Sequence, residues 1–180
     1  MARCIAVFRG KSDGLAQKPG FRARRTEDRL RPMIEFGNSS HVGLRRELNE
    51  DTYYSDAELG LWLVADGMGG HEHGEEASGV GVRAMARYVV SKLLNPLIDL
   101  PPHPPDEPIQ DVMQEGIQAA HRAIIQEAPG GGTTLTAILV IGDQMTIAHV
   151  GDSRAYALFP DGQTRVLTRD HSLVKRLVEL

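Results

Sequence analysis

The chain has one cysteine, one tryptophan and few aromatics, which make up 5% of its 180 residues. Cys4 alone can form neither an internal disulfide framework nor a thiolate metal cage, a pattern expected in a reducing cytoplasm. No apolar run approaches the roughly 20 residues that a transmembrane helix needs, and the N-terminus has no apolar core of a secretory signal. The chain therefore reads as soluble and intracellular. What it does contain is ordinary for a globular protein: 41% hydrophobic and 24% charged residues, enough for one domain with a real core.

The net charge of -4 conceals an asymmetry. Residues 1–32 hold nine basic side chains, from Arg3 to Arg31, against Asp13, Glu27 and Asp28. This leader has Gly10, Gly14, Pro19 and Gly20 and no sustained period, so it is expected to be a poorly ordered tail. Its charge would attract anions in general and carries no specific nucleic-acid signal. The folded part is expected over 33–180.

From Met33 the pattern becomes regular. Met33 to Gly37 reads as a strand and Asn38-Ser39-Ser40 as a turn, followed after Asp51 by Thr52-Tyr53-Tyr54. Asp56 to Gly60 reads as a hairpin turn into Leu61-Trp62-Leu63-Val64-Ala65, a buried strand that runs straight into Asp66 and a glycine-rich turn. Glu75-Glu76-Ala77-Ser78 then opens a helical pattern, with a helix expected over Ala77 to Leu94. Asn95 to Pro108 holds six prolines and reads as a rigid surface connection. A second helix is expected from Ile109 to Glu127, on an apolar stripe of Val112, Met113, Ile117, Ala120 and Ile124. Strands Thr134 to Ile141 and Met145 to Val150 follow, joined by the Gly142-Asp143 turn. Gly151-Asp152-Ser153-Arg154 interrupts the second of these, and Ala155 to Phe159 is expected to resume it. Thr164 to Leu167 reads as a further strand, and Asp170-His171-Ser172 as a helix cap. Strands, two helices and a strand meander indicate an α+β fold, an antiparallel sheet with helices packed on it.

Acids are depleted in strands, yet Asp51, Asp66 and Asp152 each sit at or within one, beside a glycine or another acid. Each alone is an ordinary turn residue; together they suit a hard metal ion, since oxygen donors without thiolates are what magnesium, manganese or calcium prefer. Glu50 and Asp51 are neighbours in an extended segment and point to opposite faces, so one of them would act through water or in support of the other. Other motifs fail on inspection. His71-Glu72-His73-Gly74-Glu75 places Glu75 where a zinc helix needs its second histidine. Gly151 to Ala155 lacks the final glycine of a nucleophile elbow, and Gly130 to Thr134 lacks the lysine of a P-loop.

Five segments occur in an order that resembles bacterial members of the metal-dependent (type 2C, PPM) protein serine/threonine phosphatases. They are Arg46-Glu47-Leu48-Asn49-Glu50-Asp51; Asp66-Gly67-Met68-Gly69-Gly70-His71; Gly132-Thr133-Thr134; His149 to Tyr156; and Leu167 to Ser172. The resemblance implies an antiparallel β-sandwich flanked by helices in α-β-β-α layers. It also implies hydrolysis of phosphoserine and phosphothreonine by a water that two Mn2+ or Mg2+ ions activate. Asp51 and Asp66 would be carboxylate ligands, Gly67 a carbonyl ligand, and Glu50 a ligand acting through water. Arg46 would grip the substrate phosphate, and Asp152 would hold a weaker third ion. A phosphoprotein substrate and an opposing bacterial serine/threonine kinase are the implied partners, with a monomeric cytoplasmic enzyme. No general acid is assigned, because Met68 stands where eukaryotic members place their acid histidine.

The family pattern continues past the Asp-His-Ser segment to a further Asp-Gly strand end and an Asp-Asn pair, which this sequence does not contain. The expectation is a C-terminally incomplete phosphatase domain. The alternative is a catalytically impaired phosphoprotein-binding or regulatory module. A phosphohydrolase for small molecules would share the chemistry and differ in its pocket.

Overall fold

The structure is a computed structural model that describes residues 5–10, 34–44, 47–69, 72–99, 107–159 and 161–171; for 5–10, 34, 35, 72 and 98 it describes the backbone only. In chain order the elements are β1 (Ile5–Gly10), β2 (Ile34–Ser39), β3 (Asp51–Asp56), β4 (Leu61–Met68), α1 (Glu72–Ile98), α2 (Ile109–Glu127), β5 (Gly132–Thr133), β6 (Leu135–Ile141), β7 (Gln144–Val150), β8 (Tyr156–Leu158) and β9 (Thr164–Val166). The central sheet is antiparallel in the order β3-β4-β6-β7, and β5 pairs with the end of β4.

Alternation along β4 sorts its side chains between two environments. Leu61, Leu63 and Ala65 point to one face with Leu135, Ala137 and Leu139 of β6, and all six are buried against the helices. The helices answer with Val82, Met85 and Val89 of α1 and with Val112, Met113 and Ala120 of α2, at the spacings that put residues on one helical face. Gly116 lets the helices approach closely, since a Cβ there would lie 2.7 Å from Met85 Sδ. The opposite face of β4 carries Trp62, Val64 and Asp66. Trp62 is only 2% exposed and meets the edge of Phe36 from β2, with ring centroids 6.2 Å apart. Asn38 Nδ2 donates to Ser55 Oγ of β3 at 2.7 Å, so the β1–β2 pair lies over this second face. The layers among the described residues are helices, central sheet and a smaller antiparallel pair.

The turn into β4 shows how local chemistry sets the register. Asp56 Oδ1 accepts the N–H groups of Glu58 and Leu59, each at 3.0 Å, in an Asx-type turn. Gly60 closes it at φ 69, a left-handed conformation that glycine adopts without steric cost. Its carbonyl then accepts Val140 N–H at 2.8 Å, and a side chain there would strike Val140 O.

Several boundaries differ from the sequence reading. β2 continues to Ser39, through the expected turn, because it pairs with β1. That pairing also gives Ile5–Gly10 of the expected tail a regular strand backbone; the rest of the leader, Cys4 included, lies outside the described residues. β4 runs on through Asp66 and Gly67 to Met68, because β5 supplies a partner beyond Ala65. α1 extends from Glu72 to Ile98 with Pro96 inside its last turn, so it takes in the first proline of the expected connection. β8 does not resume β7 but pairs with β9 in a separate two-stranded sheet. The end of the chain from Ser172 lies outside the described residues.

Candidate metal and phosphate site

Asp51 opens β3 and stands directly opposite Asp66 in the β3–β4 register. Partners across an antiparallel pair share a face with Cβ atoms about 4.5–5.5 Å apart. Two carboxylates at that spacing repel one another, and a cation between them relieves the repulsion. Both Asp51 carboxylate oxygens are sealed from bulk solvent, as is Glu50 Oε1. The turn before β3 is held by Asn49, whose Oδ1 accepts Asp51 N–H at 3.2 Å while its Nδ2 donates to Ser40 Oγ at 2.7 Å.

Glu50 is 7% exposed and faces the first turn of α1. A Cβ on Gly74 would come 2.5 Å from Glu50 Oε1, so only a glycine leaves room for the carboxylate there. The N-terminal end of a helix is a favourable place for an anion. Gly67 is wedged in the same spot: its N–H donates to Glu50 O at 3.1 Å, and a Cβ on it would strike Gly74 O. Glu50, Gly67 and Gly74 thus lock the loop before β3, the end of β4 and the start of α1 into one unit.

The backbone of Asp66 is held on both sides of its Cα by one residue. Thr134 N–H donates to Asp66 O at 2.9 Å, and Thr134 Oγ1 accepts Asp66 N–H at 3.0 Å. Thr134 Oγ1 lies 2.7 Å from Ser153 Oγ, in the turn that carries the exposed Asp152. One pleat further along, Thr136 Oγ1 and His149 Nδ1 are 2.9 Å apart, and the His149 ring lies 5.1 Å from that of His171. Burial, then the neighbouring His171 ring, holds His149 below the usual histidine range. Arg154 makes a two-point contact with Asp170, through Nε at 2.9 Å and a second guanidinium nitrogen, Nη2, at 2.5 Å.

The structure therefore pairs Asp51 with Asp66, packs Gly67 against Glu50 at the α1 terminus, and places the Asp152 turn one hydroxyl pair from the Asp66 backbone. Arg46 and His71 lie outside the described residues, and His73 is exposed. Among the described residues no group of three or more His, Cys, Asp and Glu side chains is arranged to hold a metal ion. The donors that do face one another are the carboxylates of Asp51 and Asp66. That set fits a hard divalent ion such as magnesium, which keeps several waters and takes only one or two carboxylates. Thr134, Ser153 and Gly74 were not singled out from the sequence as site residues. Thr134 stood within the Gly132-Thr133-Thr134 segment of the resemblance, at the start of a strand, but was given no role there.

An α+β domain whose central strand pair sets two aspartates face to face, at a glycine-cleared junction with a helix, defines an acidic oxygen-donor site. The sequence model of the protein phosphatase 2C family matches residues 39–174, and the chain belongs to that family. It is similar to the serine/threonine protein phosphatase PstP of Mycobacterium tuberculosis, with 36% identity over 160 residues, which is 84% of this chain and 28% of that protein. Among solved structures it resembles PppA of Pseudomonas aeruginosa, a regulatory component of its T6SS, with a TM-score of 0.61 and 32% identity, covering 77% of this chain and 57% of that one. It also resembles the catalytic domain of PstP in complex with two manganese ions, with a TM-score of 0.57 and 27% identity, covering 99% of this chain and 61% of that one. The chain thus spans between about a quarter and three-fifths of the length of these relatives. No helix among the described residues is long and apolar enough to cross a membrane.

Proposed function

We propose that the chain serves a metal-dependent protein serine/threonine phosphatase that hydrolyses phosphoserine and phosphothreonine in the cytoplasm. The observation that carries this reading is the Asp51–Asp66 pair across β3 and β4, within the segment that matches the family model. Asp51 and Asp66 would hold Mn2+ or Mg2+, with the Gly67 carbonyl as a further ligand and Asp152 at a weaker third position. The manganese pair in the related catalytic domain supports that choice of ion. Bound divalent ions neutralise phosphate charge and lower the pKa of water toward neutrality, which a slowly hydrolysed phosphate monoester requires. The chain's own groups do the positioning: Glu50 is clamped at the α1 terminus and would orient water, and Arg46 would grip phosphate through its planar fork of donors. The substrate would be a phosphoprotein, opposed by a serine/threonine kinase, and the working unit a monomer. The phosphatase part would occupy 33–180 behind the basic leader.

A second reading has its own observation. With no three-acid cluster among the described residues, the chain by itself would serve as a phosphoprotein-binding module with weak or no turnover. Manganese-stimulated hydrolysis of an aryl phosphate, compared between the chain and Asp66→Asn, separates the two. Turnover that needs manganese and vanishes in the variant supports the enzyme. Equal inactivity of both proteins, each folded by circular dichroism, leaves the binding module. A phosphopeptide panel run beside small phosphate esters then decides the class of substrate.

A further inference from the structure

We infer that Thr134 is a positioning residue that ties the Asp152 turn to Asp66 through its hydroxyl pair with Ser153. This rests on the metal-site reading above and adds to it a link between two positions that the β7–β8 turn would otherwise leave independent.

The geometry needs a hydroxyl at this position. Thr134 lies between β5 and β6 and is 2% exposed. Its backbone N–H and its side-chain oxygen take the carbonyl and the N–H of one residue, Asp66, and so hold the two peptide units that flank its side chain. The same oxygen reaches Ser153, so one buried atom touches the residue after Asp152 and the backbone of Asp66. The other branch of the side chain faces Gly151, where a Cβ would lie 2.6 Å from Thr134 Cγ2. Gly151 sits at φ 107, a conformation closed to most side chains, and its carbonyl accepts His171 N–H at 2.8 Å. The turn is therefore pressed onto Thr134 from one side and tied back by the 167–171 segment on the other. It cannot shift without moving the Thr134 hydroxyl, and the Asp66 peptide hangs from that hydroxyl.

Ligand-orienting partners of this kind typically change metal affinity by about 10–100-fold when removed. Valine keeps the shape of threonine and leaves the Asp66 N–H without its acceptor; serine keeps the hydroxyl. Ser153→Ala cuts only the link to the Asp152 turn. Two measurements on the 180-residue chain test the inference. In metal-free protein, amide exchange at Asp66 should accelerate about tenfold or more in Thr134→Val and stay near the parent in Thr134→Ser, as loss of one buried hydrogen bond implies. Equal exchange in the two variants would overturn the positioning role, whatever the protein binds.

With manganese alone as the probe, calorimetric titration should show Thr134→Val weakened about 10–100-fold and Thr134→Ser restored. Ser153→Ala should weaken binding in the parent and add nothing in the Thr134→Val background, since residues acting through one shared atom are not additive. Additive effects, or parental affinity in Thr134→Val when Asp66→Asn has lost it, would overturn the coupling. Parental affinity in Asp66→Asn itself would instead overturn the metal-site reading, leaving amide exchange as the judge of Thr134.

Discussion

Gly67→Ala isolates the junction on which the site depends. Gly67 is buried and does not occupy the left-handed backbone region, so alanine meets no conformational barrier and the cost is one of space alone. The new methyl would lie 2.6 Å from Glu50 O and closer still to Gly74 O, both backbone atoms that cannot rotate aside. Overpacking costs about 1–3 kcal/mol where side chains can adjust, and straining the Gly67 N–H bond to Glu50 O adds about 1 kcal/mol. The expected loss is therefore about 3–4 kcal/mol, a large share of the stability of a domain this size. At a urea m-value of about 2 kcal/mol/M, the unfolding midpoint should fall by about 1.5–2 M. Gly37→Ala is the control: nothing among the described residues lies within 4 Å of its added methyl, so it should stay within about 0.5 kcal/mol of the parent. A Gly67→Ala midpoint within about 0.3 M of the parent would refute the close three-segment packing.

Further outcomes follow from other contacts. Leu63→Ala empties a core position that is 1% exposed and should cost about 2–5 kcal/mol in urea unfolding. Ser78 is fully buried, donates to Glu75 O at 3.0 Å and meets Thr52 Oγ1 at 2.8 Å. Ser78→Ala should therefore cost about 1–2 kcal/mol by stranding Thr52, and adding Thr52→Val should recover part of it. His149 titrates below its unfolded value near 6.5, so below that pH the unfolded chain binds the proton first. Stability should fall as pH is lowered through about 6.5 and level off below the folded pKa, and His149→Asn should flatten that segment of the profile.

Much of the architecture was legible because it rests on local periodicity. The bounds of α2 were read directly from its apolar stripe, and the β6–β7 hairpin from Gly142-Asp143 between alternating strands. Asp51 and Asp66 stood out because acids at strand positions need a reason. What local pattern could not supply was pairing. β4 outlasts its apolar run because β5, contributed from after α2, bonds to Gly67 and Met68. β8 leaves the central sheet because the Gly151 turn is drawn back by His171, a contact that no spacing within the strand announces. The Thr134–Ser153 hydroxyl pair spans 19 residues and the Thr134–Asp66 clamp 68, so both exist only once the sheet has formed. The neighbouring acids Glu50 and Asp51 were expected to diverge. The structure gives each its own surroundings, Glu50 at the α1 terminus and Asp51 opposite Asp66.

The most direct test of the central claim is release of inorganic phosphate from a phosphothreonine peptide, measured with manganese, with chelator, and with Asp51→Asn and Asp66→Asn. Release should require manganese and fall by at least about 100-fold in either variant, consistent with loss of a group acting directly on the reacting centre. Release that persists in chelator, or that either variant sustains at the parental rate, would contradict the claim.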